Sequence, residues 1–170
     1  SLIANRLNST DQSYFVLPNE PIQDFPFNAV GVNDISIGDL SNDGLDDIVM
    51  FTGPSSTYDQ ISVLSNNGDG TWGAELIATA GSSGSLELVN SDGSVNLISS
   101  IPEAGKSSVE IRSIYDVTIS DVDGNGYQDL LVFNSEAIFA LENNGPGADW
   151  GYSLIANRLN STDQSYFVLP

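Results

Sequence analysis

Asp116–Phe133 reads DVTISDVDGNGYQDLLVF, and Asp34–Phe51, 82 residues earlier, reads DISIGDLSNDGLDDIVMF. In the later copy, Asp121, Asp123, Asn125 and Asp129 put oxygen-bearing side chains at loop positions 1, 3, 5 and 9. Gly126 holds position 6, where a tight turn needs φ > 0. In the earlier copy Asp39, Ser41, Asp43 and Asp47 take the oxygen positions and Gly44 the turn. A loop with this spacing curls its oxygens towards one point. Hard cations such as Ca²⁺ take six to eight oxygen ligands, a backbone carbonyl at position 7 among them. Leu45 and Tyr127 would supply those carbonyls. Each loop follows an alternating run, Ile35/Ile37 or Val117/Ile119, and precedes an apolar run, Ile48–Phe51 or Leu130–Phe133. The expected unit is strand, ion loop, strand, with one Ca²⁺ in each loop.

Neither loop is an EF-hand, which ends on a bidentate Glu at position 12 between helices. Here position 12 is Met50 or Val132, already inside an expected strand. The pattern D-x-[DNS]-x-[DN]-G-x-x-D between strands resembles the calcium loop of FG-GAP repeats, also called VCBS repeats. The resemblance extends to the turns after the loops. Val63–Gly73 and Ala140–Gly151 each carry Asn-Asn-Gly followed by Trp-Gly. It implies an all-β fold of antiparallel, β-propeller-like blades in a tandem array, with Ca²⁺ at two sites. The departure is Ser41, where the family has Asp or Asn, so the first site is expected to be the weaker. The ordinary alternative is an acidic, glycine-bearing turn without an ion, since Asp, Asn and Gly are common turn residues. Against it, three carboxylates per loop repel one another when no cation is present.

Residues 1–18, SLIANRLNSTDQSYFVLP, recur unchanged as residues 153–170. They define a period of 152 residues, so the chain is one period plus an overlap. The favoured reading is a window on a tandem array. A duplicated strand that closes a ring and a strand that pairs with the next subunit are the alternatives. Within the period two blade-like units are expected, at about 29–110 and 111–170, the second continuing into the next copy. Helical spacing is missing, and short β-rich runs bounded by Gly, Asn, Asp and Ser recur throughout. Trp72 and Trp150, at matching places in the two units, are expected to pack in the core or between blades rather than to stack on sugars.

Composition narrows the function. With 23 acidic and 4 basic residues the net charge is −19, which repels nucleic acid and anionic membranes. Hydrophobic residues make up 40%, enough for a packed core rather than an acidic tail. No apolar run reaches the length of a membrane span. Cys and His are both absent and Lys106 is the sole lysine, which removes disulfides, imidazole bases and the usual zinc ligands. A pair of aspartates could hydrolyse glycosides, but the obvious ones are committed to the ion loops. No enzyme is therefore expected. The sequence points to an extracellular, calcium-stabilised structural protein, a fibre, stalk or surface array whose partners are neighbouring copies of the repeat. The alternative is an adhesin or lectin-like propeller for protein or glycan ligands. Asn8-Ser9-Thr10 and Asn160-Ser161-Thr162 form N-glycosylation sequons.

Overall fold

The computed structural model describes residues 5–8, 13–16, 32–52, 59–80, 86–98, 114–134, 137–160 and 165–168. Residues 108–112, a short β-rich run that the alternation suggests as a strand, and the Gly-bearing stretches 81–84 and 102–105, which read as loops, lie outside them, as do Ser9 and Thr10 of the first sequon. Every regular element among the described residues is a β-strand, and every pairing is antiparallel. A six-stranded sheet runs as a meander through β3 (Val32–Gly38), β4 (Asp47–Thr52), β5 (Gln60–Asn66), β6 (Trp72–Ala80), β7 (Leu86–Val89) and β8 (Val95–Leu97). A five-stranded meander follows, from β9 (Ile114–Ser120) through β10 (Asp129–Asn134), β11 (Ala137–Glu142) and β12 (Gly151–Asn160) to β13 (Ser165–Val168). β1 (Asn5–Asn8) and β2 (Ser13–Val16) form a separate hairpin. Neither meander closes on itself, because its first and last strands are both edges.

The two meanders share one plan. Gly38 pairs with Asp47 as Ser120 pairs with Asp129, and Ile37 with Ile48 as Ile119 with Leu130. A bulge interrupts β5–β6 between Ile61 and Ser62, and β11–β12 at the corresponding place between Ile138 and Phe139. The bulge adds a residue to one strand and increases the local twist. The duplicated segment also repeats its pairing. Asn5 faces Val16 in the first copy, as Asn157 faces Val168 in the second.

One apolar cluster joins the sheets. Phe51, Ile61, Ile77 and Leu88 from the first meet Val117, Leu130, Val132, Phe139 and Leu141 from the second. Fully burying side chains of this size contributes roughly 1.5–3 kcal/mol each. Trp150 packs against this cluster, and Trp72 against a smaller one around Met50 and Leu64, so both tryptophans serve the packing the sequence implied. Two strands depart from expectation. Val117 is buried, but Ile35 and Ile37 of β3 are exposed. β1 was not anticipated, because Asn-Arg-Leu-Asn carries a single apolar residue and forms only through its hairpin partner.

Candidate metal centre

The loops joining β3 to β4 and β9 to β10 are built on backbone that ordinary residues avoid. Gly44 and Gly126 have φ of 87° and 91°, as the turn at position 6 requires. Neither has an atom within 4 Å of a Cβ placed on it, so the dihedral demands glycine, not space. A second left-handed residue sits two positions earlier. It is Gly124 in one loop and Asn42, with φ of 59°, in the other. Asn is among the few side chains that tolerate that region.

Aspartate carboxylates then tie each loop to itself. Asp121 Oδ1 and Oδ2 accept from Gly124 N at 2.8 Å and Gly126 N at 3.1 Å. Asp39 accepts from Asp43 N and Gly44 N in the same manner. Asp123 accepts from Asn125 N, and Asn125 Oδ1 accepts from Tyr127 N. The position-9 carboxylates, Asp47 and Asp129, are fully buried. Asp129 Oδ2 accepts from Val122 N and Asp123 N, and its Oδ1 from Asn143 N at 2.8 Å. Asp47 Oδ2 accepts from Leu40 N and Ser41 N, and its Oδ1 from Asn66 N at 2.9 Å. Each therefore fastens the start of its loop to the Asn-Asn-Gly turn beyond the next strand.

The position-7 residue is anchored on that same turn. Tyr127 lies against Gly145, where an added Cβ would come within 2.8 Å of its ring, and Leu45 lies against Gly68 at 2.9 Å. Both glycines also have positive φ. This contact fixes the residue whose carbonyl the spacing assigns to the ion.

The two loops differ in how they gather charge. Asp121, Asp123 and Asp129 bring ligand oxygens within 4.8 Å of one another, the first two exposed and the third buried. At that separation each pair of carboxylates repels by about 1 kcal/mol even in bulk water, and by more where solvent is restricted. A carboxylate has about four lone-pair sites. Asp121 and Asp123 accept two hydrogen bonds each and Asp129 three, so sites remain for a cation. The donor set is oxygen only, which suits Ca²⁺ or Mg²⁺ and not a thiolate- or imidazole-seeking metal. Asn125 stands beside the group, its Nδ2 donating to Asp123 Oδ2 and to Asn143 O. Asp39, Asp43 and Asp47 are not gathered into a comparable group. Ser41, at the position of Asp123, brings no third charge, and its buried hydroxyl has no hydrogen-bond partner.

Asn143 and Asn66 tie the turns to the loops, a part that the spacing did not assign to them. Asn143 receives Gly145 N on its Oδ1 and sends its Nδ2 to Gln128 O and to Leu40 O, across the seam into the loop between β3 and β4. The signal for it was the Asn-Asn-Gly turn present in both units. Beside this link lies a cavity of about 280 Å³ between the sheets, lined by Ser41, Glu75, Ser91, Asn143 and Trp150 among others. Glu75 is exposed at the rim, and partial desolvation by the surrounding sheet atoms shifts its carboxyl upward from the ordinary glutamate value. No family model, no curated protein and no solved structure matches the chain.

Proposed function

We propose that the chain is an extracellular, calcium-stabilised structural protein whose two meanders are blades of the FG-GAP/VCBS, β-propeller-like type, repeated in a fibre, stalk or surface array. The observation that carries this reading is the convergence of Asp121, Asp123 and Asp129 on one point. In this proposal Asp121, Asp123, Asn125, Asp129 and the Tyr127 carbonyl hold one Ca²⁺. Asp39, Ser41, Asp43, Asp47 and the Leu45 carbonyl hold a second, more weakly. The ion would neutralise the gathered carboxylates and brace the strands on either side. No catalytic step is assigned to the chain. A second reading, an adhesin or lectin-like module for protein or glycan, is favoured by one feature, the cavity at the seam where Trp150 stands beside Glu75, Ser65 and Ser91.

Binding to the folded form alone stabilises by RT ln(1 + [Ca²⁺]/Kd), about 2.7 kcal/mol per site at a hundredfold excess over Kd. EGTA is therefore expected to lower the melting temperature. Millimolar Ca²⁺ should restore it where equal Na⁺ does not. Melting curves that overlay with and without chelator would show the loops to be ordinary turns.

A further inference from the structure

Where the sheets meet, the turn between β11 and β12 is fastened to the first sheet at both ends. At its start, Asn143 Nδ2 donates to Leu40 O in the β3–β4 loop. Near its end, Asp149 Oδ1 accepts from Ser91 N at 2.9 Å and from Ser91 Oγ at 2.8 Å, in the β7–β8 turn. The cavity of about 280 Å³ lies between these fastenings. Its far wall is the run Gly145–Ala148, whose short side chains leave room in front of them.

The near wall comes from one face of the first sheet. Val63 pairs with Glu75 across the β5–β6 ladder, and Ser65 stands two residues beyond Val63, so the three share a face. Val63 belongs to the core between the sheets, which identifies that face as the one turned to the seam. Glu75 is exposed at the rim, and no hydrogen bond engages its carboxyl among the described residues. Trp150 packs on the core and also lines the cavity, where it is partly exposed. An aromatic surface with a few convergent polar groups is the usual make-up of a small-ligand site.

We infer that this cavity holds one neutral sugar residue, its C–H face against Trp150 and its hydroxyls shared among Glu75, Ser65 and Ser91. A sugar hydroxyl both donates and accepts. It can donate to the Glu75 carboxylate, exchange a bond with Ser65, and donate to Ser91 Oγ, whose own hydrogen is spent on Asp149. An ammonium group only donates, which leaves the Ser65 hydrogen unmet. A quaternary ammonium seeks a cage of aromatic faces, and Trp150 is the sole aromatic in the lining. Glu75 and the net charge of −19 repel uronic and other acidic sugars. The volume lies near the roughly 300 Å³ lower bound of small-ligand pockets, which suits a single ring. The inference rests on the lectin-like reading above and narrows it to one ligand class at one place.

Tryptophan fluorescence of the whole chain in millimolar Ca²⁺ tests it. The probes are methyl glycosides of glucose, galactose, mannose, fucose and N-acetylglucosamine, with choline and methyl glucuronide as counter-probes. At least one glycoside should shift the emission and saturate in the millimolar range, and neither counter-probe should. Glu75→Gln changes an exposed side chain, so it should keep its circular dichroism spectrum. Loss of the charged acceptor should weaken the sugar about tenfold or more. Ser65→Ala should weaken it severalfold, and Glu142→Gln, outside the cavity, should leave it unchanged. No saturation by any glycoside overturns the proposal, as does choline binding in their place. Sugar binding that survives both Glu75→Gln and Ser65→Ala also overturns it, because the sugar then sits elsewhere and the lectin-like reading stands without this cavity. Retention of the chain on immobilised longer glycans with no response to the glycosides likewise removes the site and keeps that reading. Failure of both assays removes the site and the glycan-binding reading together.

Discussion

The ninth residue of the second loop performs two tasks that substitutions separate. Asp129 accepts three backbone N–H bonds and also faces the gathered carboxylates. Asp129→Asn replaces one accepting oxygen with a donor, opposite Val122 N or Asn143 N. Leaving a buried group unsatisfied costs about 1–3 kcal/mol, so the variant should melt lower even in EGTA. Asp121 makes only exposed bonds within its loop, so Asp121→Ala should chiefly erase the calcium-dependent part of stability, about 2–3 kcal/mol at saturating ion. Ser41→Ala should change it least, because no charge is lost. Chelator-difference melts on the three variants check the order. The glycines at position 6 were legible as positive-φ turns because one residue and its neighbours decide that geometry. The work of Asn143 was not, since its bond to Leu40 spans 103 residues and exists only after the sheets meet.

At the level of strands, most boundaries follow from the alternation of apolar and polar residues. Asp47–Thr52, Gln60–Asn66 and Ala137–Glu142 fall where β-branched and apolar runs end in turn residues. What alternation could not supply was which apolar face meets a neighbour. Ile35 and Val117 read alike in sequence, yet one is bare and the other buried, because burial is decided by the sheet stacked opposite. β6 shows the energetic side of such stacking. It places Glu75 at the rim of the seam cavity, open to solvent on one side, and partial loss of water on the other side nudges the carboxyl's pKa above its ordinary 4.5. A raised carboxyl pKa favours the folded state only while the group is protonated. That contribution is complete below the usual glutamate range and is lost as pH rises through the folded-state pKa. Glu75→Gln should therefore be slightly more stable than wild type near neutral pH, by an amount that solvent at the exposed rim keeps small, and the gap should narrow towards pH 4.5 and below. Urea midpoints measured across that window read the difference directly.

For the whole molecule, a net charge of −19 opposes compaction. With few basic residues to pair, most of this repulsion acts across the surface, where salt screens it over about 10 Å at 0.1 M. NaCl should raise the melting temperature of the calcium-free chain. The Ca²⁺ increment should persist on top of it, because ion and carboxylates sit closer than the screening length. Equal shifts from Ca²⁺ and from Na⁺ at matched ionic strength would reduce the ion's effect to screening. An all-β character, two similar units and a duplicated end were all visible in composition and repeats. The seam was not, because the bonds that build it, Ser36 to Val117, Asn143 to Leu40 and Ser91 to Asp149, join residues 58 to 103 apart.

The duplicated hairpin has a kinetic consequence. While the chain folds, the open edge of β11 meets two identical candidates for its next strand. Asn157, the native partner of Ala137, lies 20 residues away along the chain, and its copy Asn5 lies 132 away. Loop-closure entropy, growing as (3/2)RT ln n, favours the native partner by about 1.7 kcal/mol, roughly seventeenfold. A few per cent of chains should therefore capture the wrong copy first and wait for its release. Refolding followed by tryptophan fluorescence should show a minor slow phase, and a chain without residues 1–18 should lose it.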